Sequence, residues 1–119
     1  MKGKKYIELF PGMMVQQHPL MTKTIEKKLL KTNIDDYEDD PMELEVITAY
    51  YTPFARARWI IVSGEKMENG DYILFGYCHI HVWEWGSVYL SDIQELINNG
   101  IYVERDLFCK GKKVKDLLY

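Results

Sequence analysis

The spacing of hydrophobic positions changes along the chain, and each change predicts an element. Over Thr22–Lys31, apolar residues recur at helical spacing. Ile25, Leu29 and Leu30 share one face, and Thr22 is placed to cap the first turn. A helix over 22–31 is predicted. Before it, Tyr6–Phe10 has the composition of a short strand and Pro11-Gly12 that of a turn; nothing firmer is assigned to residues 1–19. Asn33–Pro41 is polar and acidic and ends in proline, so it reads as a loop.

From Leu44 the residues favour strands. Leu44–Tyr51 is rich in β-formers and Thr52-Pro53 stops it. Arg58–Ser63 is the second strand and Gly64–Gly70 a polar hairpin loop ending in Asn-Gly. Asp71–Val82 is a third, longer strand. Alternation puts Leu74, Cys78, Ile80 and Val82 on one face and Phe75, Tyr77, His79, His81 and Trp83 on the other. Two apolar faces predict an inner strand covered on both sides. Gly86–Leu90 is the fourth strand. Ser91 then opens a second helix with a Ser91-x-x-Gln94 capping box, a buried face of Ile93, Leu96 and Ile97, and an Asn99-Gly100 exit. Ile101–Phe108 reads as extended and Lys112–Leu118 as a short last helix. This order predicts an α+β fold: a mostly antiparallel meander of about four strands with two main helices and a short C-terminal one.

Composition narrows the class without naming an activity. At 119 residues, 47% hydrophobic and 28% charged, the chain fits one globular domain with its own core. It has no apolar run long enough to span a bilayer and no long apolar stretch near its start, so neither a membrane partner nor a signal peptide is expected. The formal net charge of −3 argues against generic nucleic-acid binding. The charges are nonetheless segregated. Lys2, Lys4, Lys5, Lys23, Lys27, Lys28 and Lys31 precede an acidic stretch of Asp35, Asp36, Glu38, Asp39, Asp40, Glu43 and Glu45, and Lys110, Lys112, Lys113 and Lys115 end the chain. Solvated faces explain this most simply; a basic face for a phosphate backbone is the sharper alternative. Cys78 and Cys109 lie outside any C-x-x-C pattern, and the cytoplasm is the expected compartment.

An ordered set of short motifs resembles a known family. It comprises Leu20-Met21-Thr22-Lys23, Glu26-Lys27-Lys28-Leu29, Tyr50-Tyr51-Thr52-Pro53, Trp59, Phe75-Gly76 and Glu84-Trp85-Gly86. It continues with Leu90-Ser91-Asp92-Ile93-Gln94-Glu95-Leu96 and closes with Val103-Glu104-Arg105-Asp106-Leu107. The set, spanning about residues 20–109, is similar to a family of small proteins catalogued as a domain of unknown function. That family's pattern runs F-F-T-P, an aromatic tryptophan strand, F-G, E-L-G, S-L-x-E-L and I-E-R-D-L-x-F. Trp85 stands where the family usually has leucine, and Val82 where it often has an acid. The first 19 residues and the acidic loop look like additions. The resemblance implies a setting in bacteria, plasmids, phages and other mobile elements. It carries no activity.

Four constellations remain. His79 and His81 form an H-x-H that a strand would place on one face, the start of a metal site with Glu84 or His18 as a third ligand; two half-buried histidines in an aromatic layer is the plainer reading. Glu104 and Asp106 are paired carboxylates of the kind used for acid–base work or Mg²⁺. With Glu84 and Arg105 they read first as a structural polar network, Arg105 pinning the last segment through a carboxylate. Nine Tyr, three Trp and four Phe crowd the strands. Arg56, Arg58, Trp59, Trp83 and Trp85 are the candidate binding residues, since Trp, Tyr and Arg anchor protein interfaces and aromatics beside cations also stack nucleic-acid bases. No Walker loop, nucleophile elbow or G-x-G-x-x-G is present, and no cofactor is expected. The leading expectation is a non-catalytic interaction protein of a mobile element with a protein partner. A single-strand nucleic-acid binder is second, and a small metal enzyme built on His79, His81 and Glu84 third.

Overall fold

A computed structural model describes residues 5–31 and 40–118. The chain begins with a hairpin of β1 (Lys5–Phe10) and β2 (Met13–Gln17), reversing at Pro11-Gly12, where Gly12 takes φ 82°. Helix α1 (Lys23–Lys31) follows, with the Thr22 hydroxyl accepting the Ile25 N–H at 3.2 Å as an N-cap should. Ile25 and Leu29 are buried, but Leu30 is 71% exposed and does not join them. The other strands are β3 (Thr48–Tyr51), β4 (Arg58–Lys66), β5 (Tyr72–His79), β6 (Trp83–Tyr89) and β7 (Glu104–Arg105), with α2 (Leu90–Asn98) between the last two. Short 3-10 turns lie at Pro41–Glu43 and Val114–Leu117, the second where a last helix was expected.

Strands β3 to β6 form the predicted meander, and β7 adds to its far edge. The five-stranded sheet runs β6-β5-β4-β3-β7, antiparallel throughout. One face packs on α1 and α2 through Trp59, Ile61, Tyr50, Tyr72, Leu74, Ile25, Leu29 and Ile93. On the other, Ala49, Ile60 and Val62 meet Val46, Cys109 and Val114 of the segments beside the 3-10 turns. The strand buried from both sides is therefore β4, whose run Trp59–Ser63 is wholly buried, and not the third strand of the sequence reading. That strand alternates, with Tyr72, Leu74 and Gly76 buried and Ile73, Phe75 and Tyr77 half-buried.

Two local devices fix the geometry around β5 and β6. A bulge between Ile61 and Ser63 shifts the β4–β5 register. Beside it Gly76 lies so close to β4 that an added Cβ would stand 1.9 Å from the Ile60 carbonyl oxygen. At the start of α2, the expected Ser91–Gln94 box is not formed. The helix begins at Leu90 after Tyr89, and Asp71, the residue just before β5, caps it from outside, accepting the Ser91 N–H at 3.1 Å and the Ser91 hydroxyl at 2.6 Å. These bonds, the hydroxyl's first, hold the Asp71 carboxyl below its usual range. The exit is as expected: Gly100 at φ 90° lets the Gly100 N–H reach Ile97 O and the Ile101 N–H reach Leu96 O, the paired bonds of a Schellman motif.

Candidate functional site

Antiparallel register places Phe75, Tyr77 and His79 of β5 beside Ser87, Trp85 and Trp83 of β6. Residues two apart in a strand share a face, so the rings form one strip on the side of the sheet away from the helices. Tyr77 is its centre, with its ring 5.0 Å from that of Trp83 at 16° and 4.9 Å from that of Trp85 at 38°. Phe75 stacks on Trp85 at 5.8 Å, and His79 leans on Trp83 at 5.1 Å. Contacts of this kind add about 0.5–1.5 kcal/mol each beyond area burial. The inner side of the strip rests on the C-terminal core and its outer side is half-exposed at the open edge of β6.

The five candidate binding residues do not share one surface. Trp59 is 4% exposed and packs on the helix face, because its register partner is Cys78 rather than Tyr77. Trp83 and Trp85 belong to the strip. Arg58 faces the same side, but its guanidinium lies 5.5 Å from the Tyr51 ring centre and donates to the Leu117 carbonyl, so it ties down the C-terminal turn. Arg56 is exposed in the β3–β4 loop, and its carbonyl meets His79 Nδ1 at 2.8 Å. A carbonyl only accepts, so Nδ1 carries the proton.

The H-x-H arrangement is overturned. Strand β5 ends at His79, and Ile80–Val82 turn the chain into β6, so His81 sits exposed in a bend rather than two places along a pleat. Among the described residues no three His, Cys, Asp or Glu side chains come together as a metal site. The proposed polar network also separates. Glu84 is exposed on β6. Glu104 accepts the Tyr51 hydroxyl at 2.8 Å; burial first, then this bond, pushes the phenol up to about 12. Asp106 turns back on its own loop, accepting the Phe108 N–H at 2.8 Å. Arg105 pairs with Tyr50 on the helix side, and its Nε is buried without a hydrogen-bond partner among the described residues. No carboxylate pin of Arg105 is seen among them. Burial raises both thiols, Cys78 to about 11, which makes them poor nucleophiles at neutral pH.

Tyr77 as the centre of the strip, and Asp71 as the cap that seats α2 beside it, escaped the sequence reading. The even spacing of Phe75, Tyr77 and His79 was visible; the pairing partners that turn it into a stacked strip were not.

The fold and this surface define a small α+β domain in which helices cover one face of an antiparallel sheet and an aromatic strip lines the open edge of the other. Residues 20–115 match the family described as "Protein of unknown function (DUF2958)", and the chain belongs to that family. The match begins just after the β1–β2 hairpin. No curated protein and no solved structure matches the chain. Among the described residues no helix is long and apolar enough to cross a membrane.

Proposed function

We propose that this protein is a non-catalytic interaction protein that binds a protein partner through the Phe75–Tyr77–His79–Trp83–Trp85 strip, and that it serves as a cytoplasmic accessory of a mobile genetic element. The observation that carries the binding part is the strip itself: stacked aromatic rings, held rigid from below and half-exposed at an open sheet edge. Rigid aromatic anchors lose little entropy on binding and dominate protein interfaces. The mobile-element part rests on the resemblance of the ordered motif set. Single-strand nucleic-acid binding is less well supported, since Tyr77 already stacks against both tryptophans and Arg58 is engaged with Tyr51 and Leu117.

Tagged wild-type protein is compared in the native host's lysate with Trp83→Ala and with Ser87→Glu. The second variant sets a charge beside the strip at an exposed position. The expected result is one specific protein retained by the wild type and lost from both variants, with circular dichroism showing each folded. Equal capture by all three proteins refutes the reading. A gel shift on single-stranded oligonucleotide that weakens steeply with salt transfers the strip to the nucleic-acid reading.

A further inference from the structure

The sheet has two edges, and the chain treats them differently. Edge strands expose unpaired backbone N–H and C=O groups, and proteins blunt them with short strands, proline, lysine or bulges. The edge at β7 is blunted by length, since it has two residues. The edge at β6 has seven residues, WEWGSVY, no proline, no lysine and no register shift against β5. Among the described residues no strand pairs with its outer side.

The sequence of β6 is complementary to itself. In antiparallel pairing with a second β6, one register uses all seven residues, with the twofold axis at Gly86. That register sets Trp83 opposite Tyr89 of the other copy, Trp85 opposite its Ser87 and Glu84 opposite its Val88. The strand's only charge therefore meets an apolar residue and no like charge. Trp83 and Tyr89 lie on the strip side, so each copy's strip continues onto the other with an aromatic cross-strand pair at both ends. On the axis, the Gly86 position has open space around it.

We infer that the partner of this edge is a second copy of the chain, joined β6 to β6 about Gly86 into one continuous sheet. This rests on reading the strip as a protein interface, and it names what binds there. The contact is isologous and closes after two copies.

Sedimentation equilibrium of the purified full chain, followed by charge-swap variants on the axis, tests the assignment. The wild type is expected at twice the 14.1 kDa chain mass. Gly86→Lys and Gly86→Glu each bring two like charges together on the axis. Each is expected to be a folded monomer by mass and circular dichroism, and a 1:1 mixture to return to the dimer mass. A monomeric wild type overturns the assignment. So does a dimer that survives in both single variants, or a mixture that fails to reassociate. Should the variants lose their fold, oxidative crosslinking of the chain carrying a Gly86→Cys probe decides it: position 86 is the one that faces itself across the axis and has open space for a side chain, so a disulfide joining two copies is expected, and a chain that stays monomeric overturns it. A monomeric wild type that still captures a different protein in a Trp83-dependent way leaves the strip an interface and removes only the second copy.

Discussion

Gly76 and Gly86 face each other across β5 and β6, yet a methyl group added to each has opposite consequences. At Gly76 the new Cβ would stand 1.9 Å from the Ile60 carbonyl oxygen and 2.9 Å from the Ile61 Cα. Both are backbone atoms of the central strand, so no side chain can swing aside. Restoring van der Waals contact requires β4 and β5 to part by about 1 Å. Overpacking alone costs about 1–3 kcal/mol. Parting the strands also weakens one or two ladder hydrogen bonds, worth about 1 kcal/mol each. Gly76→Ala is thus expected to lose about 2–5 kcal/mol, a large part of the roughly 5–15 kcal/mol available to a domain. At Gly86 nothing lies within 4 Å of the added atom, and replacing a strand glycine relieves unfolded-chain entropy, so Gly86→Ala is expected to be neutral or up to about 1 kcal/mol stabilising. Urea unfolding followed by tryptophan fluorescence measures both. A Gly76→Ala midpoint within about 1 kcal/mol of wild type, at an unchanged m-value, refutes the close-approach argument.

Three further outcomes are expected. The Lys113 and Lys115 bonds lower Glu43 to about 2 from its ordinary 4.5. Their contribution is therefore full above about 4.5 and fades as pH falls toward about 2, and a Lys113→Ala/Lys115→Ala variant should show a flatter acid-denaturation curve in that window. With Cys78 raised from 9.0 to about 11 by burial, its thiolate fraction at pH 8 falls about a hundredfold, so disulfide-exchange reagents should label it far more slowly in the folded protein than in urea; equal rates contradict its burial. Tyr50→Phe removes the hydroxyl that donates to the Leu20 carbonyl at 2.6 Å in the core and should cost about 1–3 kcal/mol in chemical denaturation, because the carbonyl is left unpaired.

Much of the fold was legible because the deciding signals are local. Thr22 as a cap, the Asn69-Gly70 turn and the Asn99-Gly100 exit each act over a few residues, and each appears where expected, with Gly70 and Gly100 at positive φ. The misreadings share one cause. Asp71–Val82 looked like one strand because Ile80, His81 and Val82 continue its alternation, but alternation carries no information about where a strand stops pairing. Once β6 folds back against β5 at Trp83, His81 lies in the bend and the two-histidine face is gone. The same holds for Trp59, whose side follows from its partner Cys78, and for Ser91, whose expected Gln94 partner gave way to Asp71, just before β5.

The chain by itself determined its two main helices, the four-stranded antiparallel meander and its kinship with a family of unknown function, since periodicity, turn residues and ordered motifs are properties of neighbouring positions. Only the tertiary structure decided which aromatics meet. Tyr77 contacts Trp83 and Trp85, and Arg58 reaches Leu117, because register and a bulge bring distant segments together. Pairing register depends on the packing of all the strands at once, and no stretch of one strand encodes it.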